Sequence, residues 1–217
     1  MKPSSNKASR RAALAAAFAS LLATGTLASR AQDAAAPGAA APASAPAGLQ
    51  TYRLDPAHTF ATFEVRHFGT STLRGRVGPI TGEVQIDRAA HKGDVRLRIP
   101  MATLDTGFKP LDARLKQPDL LATAENPEAY FVASNFRFDV AGAVTQVRGE
   151  FTLRGVGQPL SLRARSFACR QDAMLRREVC GGDFEGELKR SDFGAGFGTP
   201  FVADAVHLVV QVEAIAG

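Results

Sequence analysis

The residues of this chain best suited to catalysis or ligand recognition are histidines and charged side chains that occur in small groups. His58 and His67 lie in one early segment that also contains Asp55. A zinc site needs at least three converging ligands, and the spacing here matches no familiar metal-binding motif. We therefore consider two roles for both histidines: structural hydrogen bonds at the end of a strand, or contacts to the polar head of a bound ligand.

Two further groups combine opposite charges: Asp112 with Arg114, and Arg190 with Asp192. Each group could form an ion pair beside a turn or a helix start, or could act in catalysis. The sequence has no Gly-x-Ser-x-Gly motif, no glycine-rich phosphate loop before a helix, and no pair of carboxylates accompanied by a base. The absence of these motifs argues against an enzyme, a cofactor and a metal, and leaves an enzyme that acts on a small substrate as the alternative.

The first residues have the composition of an export signal. Basic residues come first, an alanine-rich apolar stretch spans residues 12–28, and small residues follow near Ala31. This order is typical of a cleaved secretory signal and predicts a signal peptide over residues 1–31 and a periplasmic protein. Ser9, Arg10 and Arg11 partly match a twin-arginine signal, which leaves the export route open, and a retained anchor is the alternative to cleavage.

The charge of the chain belongs to this signal. The net charge is +5, from 26 basic and 21 acidic residues, but five basic residues and no acidic ones lie within residues 1–31. Their removal leaves 21 residues of each sign, so we expect no nucleic-acid partner. Residues 32–48 are almost entirely Ala, Pro, Gly and Ser, which predicts a flexible linker. Residues 49–217 have a suitable length for one domain.

Cys169 and Cys180 are the only cysteines, and both belong to the part that is expected to be exported. An oxidising compartment favours a disulfide between them. A β-hairpin that aligns the two cysteines differs by one residue from the hairpin that pairs Leu162 with Leu188. We therefore predict a β-bulge at Gly181-Gly182, which would reconcile the two registers.

Alternating apolar and polar residues predict antiparallel strands throughout the domain. Val95, Leu97 and Ile99 alternate with two arginines, and the same period of two recurs in at least five other segments. Such a sheet avoids exposed edges by closing, so we expect an all-β, eight-stranded antiparallel barrel. Residues 110–121 depart from this pattern and predict one short helix, between Pro110 and the region of Pro118.

Phenylalanine provides most of the aromatic surface. Thirteen of the 14 phenylalanines follow the signal, whereas Trp is absent and Tyr occurs twice. A packed core would account for them equally well, but an apolar lumen for a long guest would also need aromatic walls. The residues proposed for such a lumen are Phe63, Phe131, Phe136, Phe138, Phe151 and Leu153.

A dispersed series of residues resembles the YceI-like family of bacterial exported proteins over about residues 52–214. The series begins with Tyr52, Leu54-Asp55, His58, Phe63, Val65 and His67, continues with Asp112, Leu115, Asn126-Pro127 and Phe131, then with Gly149, Phe151-Thr152-Leu153, and ends with Arg190-Ser191-Asp192-Phe193-Gly194. The chain departs from the family in having Thr59 where a serine is usual and Arg114 where a histidine is common.

The resemblance implies a lipocalin-like barrel with a lid helix that binds a polyisoprenoid chain, such as an isoprenoid quinone, in its lumen. It implies a binding or carrier role, and a polar head group at one mouth near His58, His67, Asp112 and Arg114. The full set of expected ligand-binding residues is His58, Phe63, Val65, His67, Leu111, Asp112, Arg114, Leu115, Phe131, Phe136, Phe138, Phe151 and Leu153. A stress-related interaction module with a filled core is a further alternative. Transient membrane contact, and the choice between monomer and homodimer, are left open.

Overall fold

The computed structural model describes residues 48–217, and most of them lie in antiparallel β-strands. The predicted signal peptide lies outside the described residues, as does the predicted linker except for Gly48. The ten strands are β1 (Gln50–Leu54), β2 (Phe60–His67), β3 (Ser71–Val77), β4 (Thr81–Asp87), β5 (Lys92–Pro100), β6 (Glu128–Phe138), β7 (Val144–Leu153), β8 (Val156–Asp172), β9 (Arg177–Lys189) and β10 (Val202–Ala216). One α-helix, α1 (Lys109–Leu115), and two 3-10 turns, Met101–Thr103 and Arg190–Phe193, complete the described elements.

These ten segments form an eight-stranded barrel. Strands β1 and β2 both pair with β10, so they act as one strand that is interrupted between residues 54 and 60. Strands β3 and β4 pair with β2 and β1 respectively, and form a second interrupted strand. When each interrupted strand is counted once, every strand pairs with its neighbour along the chain, and the pairing of β1 with β10 closes the ring. The predicted closed antiparallel barrel is confirmed.

Thr59 connects the segment between β1 and β2 to β10 through hydrogen bonds. Its side chain is fully buried, and its hydroxyl donates a hydrogen bond of 3.1 Å to the carbonyl oxygen of Glu213 and accepts one of 3.2 Å from the Glu213 amide. The hydroxyl thus replaces backbone partners that a continuous strand would provide. A serine hydroxyl has the same donor and acceptor, so Thr59 keeps the chemistry of the residue that the family resemblance leads one to expect.

The second interruption leaves the barrel wall incomplete at one end. Strand β4 pairs with β5, but within residues 48–217 the far edge of β3 has only one isolated bridge, between Arg76 and Asp105. The connection between β5 and β6, residues 101–127, contains α1 and runs along this part of the barrel. The chain therefore closes one side of the barrel with a helix and turns instead of a strand.

The helix is shorter than the predicted one. It ends at Leu115 rather than near residue 121, and Lys116 is its C-terminal cap. Proline disfavours helical backbone in the residue before it, so Pro118 prevents the helix from continuing through Gln117. Pro110 lies within the first turn, where a helix needs no amide donor. Among residues 48–217, no helix is long and apolar enough to cross a membrane.

The Cys169–Cys180 disulfide is present, but the predicted bulge at Gly181-Gly182 is wrong. Both glycines pair regularly with β8, and the register shifts instead between Ala164 and Ser166, which leaves Arg165 as the extra residue. The Ser166 hydroxyl accepts a hydrogen bond of 3.1 Å from the Asp183 amide at this point. Gly182 allows β8 and β9 to approach each other closely, because a Cβ at this position would lie 2.2 Å from the Ser166 carbonyl oxygen. Arg163 and Arg165 both reach Glu185, which favours a bulge on the strand that carries the arginines.

Candidate ligand-binding cavity

The interior of the barrel has two compartments. In the half where β1 closes the ring, Tyr52, Phe131, Phe184 and other buried side chains pack closely and leave about 70 Å³ of free volume. In the half bounded by β2 and β3, a cavity of about 620 Å³ remains. Phe131 lies opposite Phe151 in the pairing of β6 with β7, and the two rings face different compartments. The boundary between filled core and cavity therefore runs between these neighbouring phenylalanines.

The cavity walls come from five strands, one of which is β3 with Ser71, Thr72 and Leu73, and from a cover. Phe63 and Val65 of β2, Phe151 and Leu153 of β7, Leu188 of β9, and Val206 and Leu208 of β10 form the other strand walls. Leucines of α1 and of the turns around it close the side that β3 leaves without a neighbouring strand; they are Leu104, Leu111, Leu115, Leu120 and Leu121. Residues 195–202 complete the cover through Ala195, Phe197, Gly198 and Val202.

The position of Phe63 depends on a glycine in the adjacent strand. Phe63 lies opposite Gly75, and a Cβ at Gly75 would come within 2.3 Å of the phenylalanine ring. The absence of a side chain at Gly75 allows the Phe63 ring to lie across β3. The ring thereby covers the backbone of β3 with aromatic surface at the cavity wall.

Almost all of the cavity surface is apolar. Five of the 24 lining residues are polar, namely His67, Ser71, Thr72, Arg114 and Arg190. His67 and Ser71 lie opposite each other at the end of β2 and the start of β3, so their polar atoms lie together at one end of the cavity, whereas the Thr72 hydroxyl accepts a hydrogen bond from Arg66. Such a wall suits a ligand with a long apolar body and a small polar end.

Arg190 is buried and holds the loop that covers the cavity. Its guanidinium donates hydrogen bonds to four backbone carbonyl oxygens, those of Ala195, Phe197, Val202 and Ala203. Burial lowers the pKa of Arg190 from its usual value, and the carbonyl groups compensate for lost water. Among the described residues, no salt bridge joins Arg190 to Asp192, so the ion pair considered from the sequence does not form.

Asp112 and Arg114 also have separate partners. The Asp112 carboxylate accepts hydrogen bonds of 2.8 Å and 2.7 Å from the amide and hydroxyl of Thr106, and lies 3.3 Å from the Lys109 ammonium. These hydrogen bonds, chiefly those from Thr106, lower the pKa of Asp112 to about 2. Arg114 binds both carboxylate oxygens of Asp119, at 2.7 Å and 2.6 Å, and its guanidinium lies 4.7 Å from the centre of the Phe197 ring. Arg114 therefore reaches the cavity with its charge already compensated.

Eight of the thirteen residues expected to bind the ligand line the large cavity. They are Phe63, Val65, His67, Leu111, Arg114, Leu115, Phe151 and Leu153. Phe131 and Phe136 line the small void of the other compartment. Asp112 is the buried residue of α1 and does not line the cavity, since its oxygens face Thr106 and Lys109.

Two of the expected residues lie outside both compartments. Phe138 stacks on His91, with ring centres 5.3 Å apart, near the turn between β4 and β5. His58 is exposed, and its Nδ1 lies 2.6 Å from the carboxylate of Asp55. The hydrogen bond to Asp55 raises the pKa of His58. The Asp55 carboxylate also accepts a hydrogen bond from the Ala57 amide. The structure thus places the Asp55–His58 pair in the turn between β1 and β2, away from the cavity.

Several residues that line the cavity were not predicted from the sequence. Val206 and Leu208 belong to an alternating face that was recognised as a strand, but Val210 and Val212 of that face line the small void. Alternation identifies a face and carries no information about position along the barrel axis. Phe197 and Val202 lie in or beside an irregular loop, where no periodic pattern could have indicated their position.

Comparison with known proteins is consistent with this arrangement. The family model described as the YceI-like domain matches residues 52–214. Protein YceI of Escherichia coli O157:H7 is 28% identical over 167 residues, which cover 76% of this chain and 86% of that protein. The match to the family model begins within β1 and ends within β10, so it includes residues of all ten strands.

Two solved structures share the fold. BcnA of Burkholderia cenocepacia aligns with a TM-score of 0.62 and 21% identity, over 74% of this chain and 98% of that one. A polyisoprenoid-binding domain from Saccharophagus degradans, implicated in plant cell wall breakdown, aligns with a TM-score of 0.52 and 18% identity, over 77% and 99% of the two chains. At these identities the similarity establishes the shared barrel architecture.

Proposed function

Because the chain belongs to the YceI-like family, we propose that it is a periplasmic binding or carrier protein for a long apolar isoprenoid lipid of the quinone or polyprenyl type. The observation that carries the proposal is the cavity of about 620 Å³ with almost entirely apolar walls. Its volume lies in the range of about 300–1,000 Å³ that is typical of small-molecule sites. Burial of an isoprenoid tail there would contribute roughly 25 cal/mol for each Å² of apolar surface removed from water.

The polar end of the ligand would lie near His67, Ser71 and Arg114. Arg114 is bound to Asp119, and Arg190 to four carbonyl groups, so neither arginine at the cavity wall is free to pair with an anion. An uncharged head that accepts hydrogen bonds, such as a quinone carbonyl, fits this wall better than a phosphate does. We therefore favour an isoprenoid quinone over a polyprenyl phosphate.

The export signal and the structural relatives support the proposal from two other directions. A signal segment over residues 1–31 would deliver the protein to a compartment where a water-insoluble lipid needs a protein shield. The polyisoprenoid-binding domain from Saccharophagus degradans has the same fold, which makes an isoprenoid guest compatible with this architecture. The charged groups near the cavity are engaged in structural contacts, which favours binding over catalysis.

Native mass spectrometry and solvent extraction test the proposal. We expect the exported protein to carry an extractable isoprenoid lipid, and the stripped protein to bind an added isoprenoid quinone more tightly than a polyprenyl phosphate. Leu208→Trp, which fills the cavity, should abolish this binding. Val132→Trp, on the exposed face of β6, should leave it unchanged. Repeated extraction without any lipid, together with no uptake of either probe, would refute the proposed function.

A further inference from the structure

Four exposed phenylalanines surround the opening of the cavity. Phe68, Phe108, Phe197 and Phe201 are 60%, 61%, 60% and 63% exposed. We call them the rim phenylalanines. Phe108 and Phe197 are exposed and also line the cavity, so they mark the place where the cavity meets the surface. Exposed aromatic groups concentrated at one place usually indicate an interaction surface.

The other two rim phenylalanines are joined beside this opening. The Phe68 amide donates a hydrogen bond of 2.7 Å to the carbonyl oxygen of Phe201, and their ring centres are 5.7 Å apart. Their neighbours in sequence, His67 and Val202, both line the cavity. The turn between β2 and β3 and the loop before β10 therefore form one aromatic projection next to the opening.

Two of the three segments that carry these rings are uncharged, and in the third, Lys109 beside Phe108 pairs with Asp105 and Asp112. Neither residues 67–73 nor residues 194–203 contain Asp, Glu, Lys or Arg. A protein partner that binds through ion pairs would find no charges to match on these two segments. Exposed aromatic rings on short uncharged loops are instead suited to shallow insertion at the boundary between lipid head groups and acyl chains.

We propose that the rim phenylalanines form a docking face for a lipid bilayer, which places the cavity opening against the membrane. This inference rests on the proposed function, because an isoprenoid lipid would then pass between bilayer and cavity without crossing water. The loops would enter the boundary region by about 5–10 Å. Since the two loops carry no charge, docking should not depend on anionic lipids or on low salt.

A second copy of the chain is a less suitable occupant of this face. A buried aromatic side chain covers about 150–250 Å², so four rings at the observed exposure offer roughly 500 Å². A standard protein interface buries about 800 Å² on each partner. The rim phenylalanines project from two loops and the start of α1, an arrangement that a deformable lipid surface accommodates more easily than a rigid partner.

The absence of tryptophan from the chain provides a direct test. Phe201→Trp places one fluorescent reporter on the rim, and Val140→Trp places a matched reporter at a fully exposed turn between β6 and β7. The full chain is mixed with phosphatidylcholine vesicles whose acyl chains are brominated. We expect a blue shift and quenching for the Phe201→Trp reporter, unchanged at high salt, and neither effect for the Val140→Trp reporter. Equal behaviour of the two reporters would overturn the proposal.

Additional variants separate docking from ligand binding. In the Phe201→Trp background, Phe68→Ser with Phe197→Ser should weaken vesicle partition by about tenfold. Met174→Ser, at an exposed position in the turn between β8 and β9, should leave vesicle partition unchanged.

The outcomes of the two measurements distinguish docking from ligand binding. If the rim reporter stays in water while an isoprenoid quinone still binds in vesicle-free solution, docking is refuted and the proposed function stands. If the reporter enters lipid but no quinone binds, the proposed function fails. A blue shift that rises with protein concentration without vesicles would indicate a second copy and refute docking.

Discussion

Arg190 donates a hydrogen bond of 2.8 Å to the carbonyl oxygen of Phe197, and through it the end of β9 holds the loop that covers the cavity. The same guanidinium binds three other carbonyl oxygens between residues 195 and 203. Phe197 also lies beneath the guanidinium of Arg114, which follows the start of α1. The two parts of the cavity cover are therefore joined to each other and to the barrel through one phenylalanine.

Replacing Arg190 should loosen this cover. Arg190→Met removes the donors for four carbonyl groups, and we expect a loss of about 2–4 kcal/mol in the free energy of unfolding. Arg190→Lys should lose less, because an ammonium retains the charge but cannot reproduce the planar fork. Urea unfolding measures the stability, and limited proteolysis within residues 194–203 reports the loop. Arg96→Met, on the exposed face of β5, is the control and should change stability by less than about 0.5 kcal/mol. Equal stability of the Arg190 and Arg96 variants would contradict the assigned role.

Loss of an aromatic ring should lower the free energy of unfolding by different amounts in the two compartments of the barrel. Phe131 is 3% exposed and belongs to the packed core, so Phe131→Ala should cost about 3–5 kcal/mol. One side of the Phe63 ring faces the cavity, so the ring has no packing contacts on that side. Phe63→Ala should therefore lower the free energy of unfolding by less than about 2 kcal/mol. Quinone binding should show the reverse order, with the larger loss in Phe63→Ala. Equal costs in urea unfolding would mean that the large cavity is filled by side chains in solution.

The disulfide should stabilise the barrel without affecting the ligand site. Cys169 and Cys180 are 11 residues apart, and their bond closes a short hairpin loop. The chain-entropy model assigns about 3 kcal/mol to such a loop. The double variant Cys169→Ser and Cys180→Ser should lose this amount in urea unfolding, and reductant should lower the wild-type protein to the same level. Because neither cysteine lines the large cavity, quinone affinity should not change in the double variant. A parallel loss of affinity would show that the two ends of the barrel are coupled.

The Asp112 carboxylate should make stability depend on pH in the acidic range. Hydrogen bonds from Thr106 lower its pKa from 3.8 to about 2 in the folded protein. A carboxylate with a lowered folded-state pKa stabilises the fold above its unfolded pKa, and this contribution disappears as pH falls through the folded value. The wild-type protein should therefore exceed Asp112→Asn in stability at pH 5, and the difference should shrink between about pH 4 and pH 2.

Unfolding measurements across this range give the comparison. Asp94→Asn changes an exposed carboxylate on β5 and serves as the control. A difference between wild type and Asp112→Asn that stays constant down to pH 2 would show that the Thr106 contacts do not favour the ionised form.

The sequence was informative where a local pattern has one structural solution. Alternation in β5 and β10 predicted antiparallel strands, and the lack of long helices between strands led to a closed barrel. Two cysteines in a chain that was expected to be exported predicted their bond. The hairpin bulge was misplaced because the predicted pairing of Leu162 with Leu188 does not form: Arg163 pairs with Glu185, which places Leu162 beside Gly186. Which strand holds the extra residue depends on close contacts such as that of Gly182 with Ser166, and on the two arginines beside Glu185.

The sequence by itself determined the all-β class, the eight-stranded closure, the cysteine pair and an apolar inner face. The tertiary structure decided that this inner face is filled core beside Phe131 and open cavity beside Phe151. It also decided that Arg190 binds backbone carbonyls and that His58 lies away from the cavity. The physical reason is that alternation specifies which side of a strand is apolar, whereas free volume depends on how side chains from distant strands meet along the barrel axis.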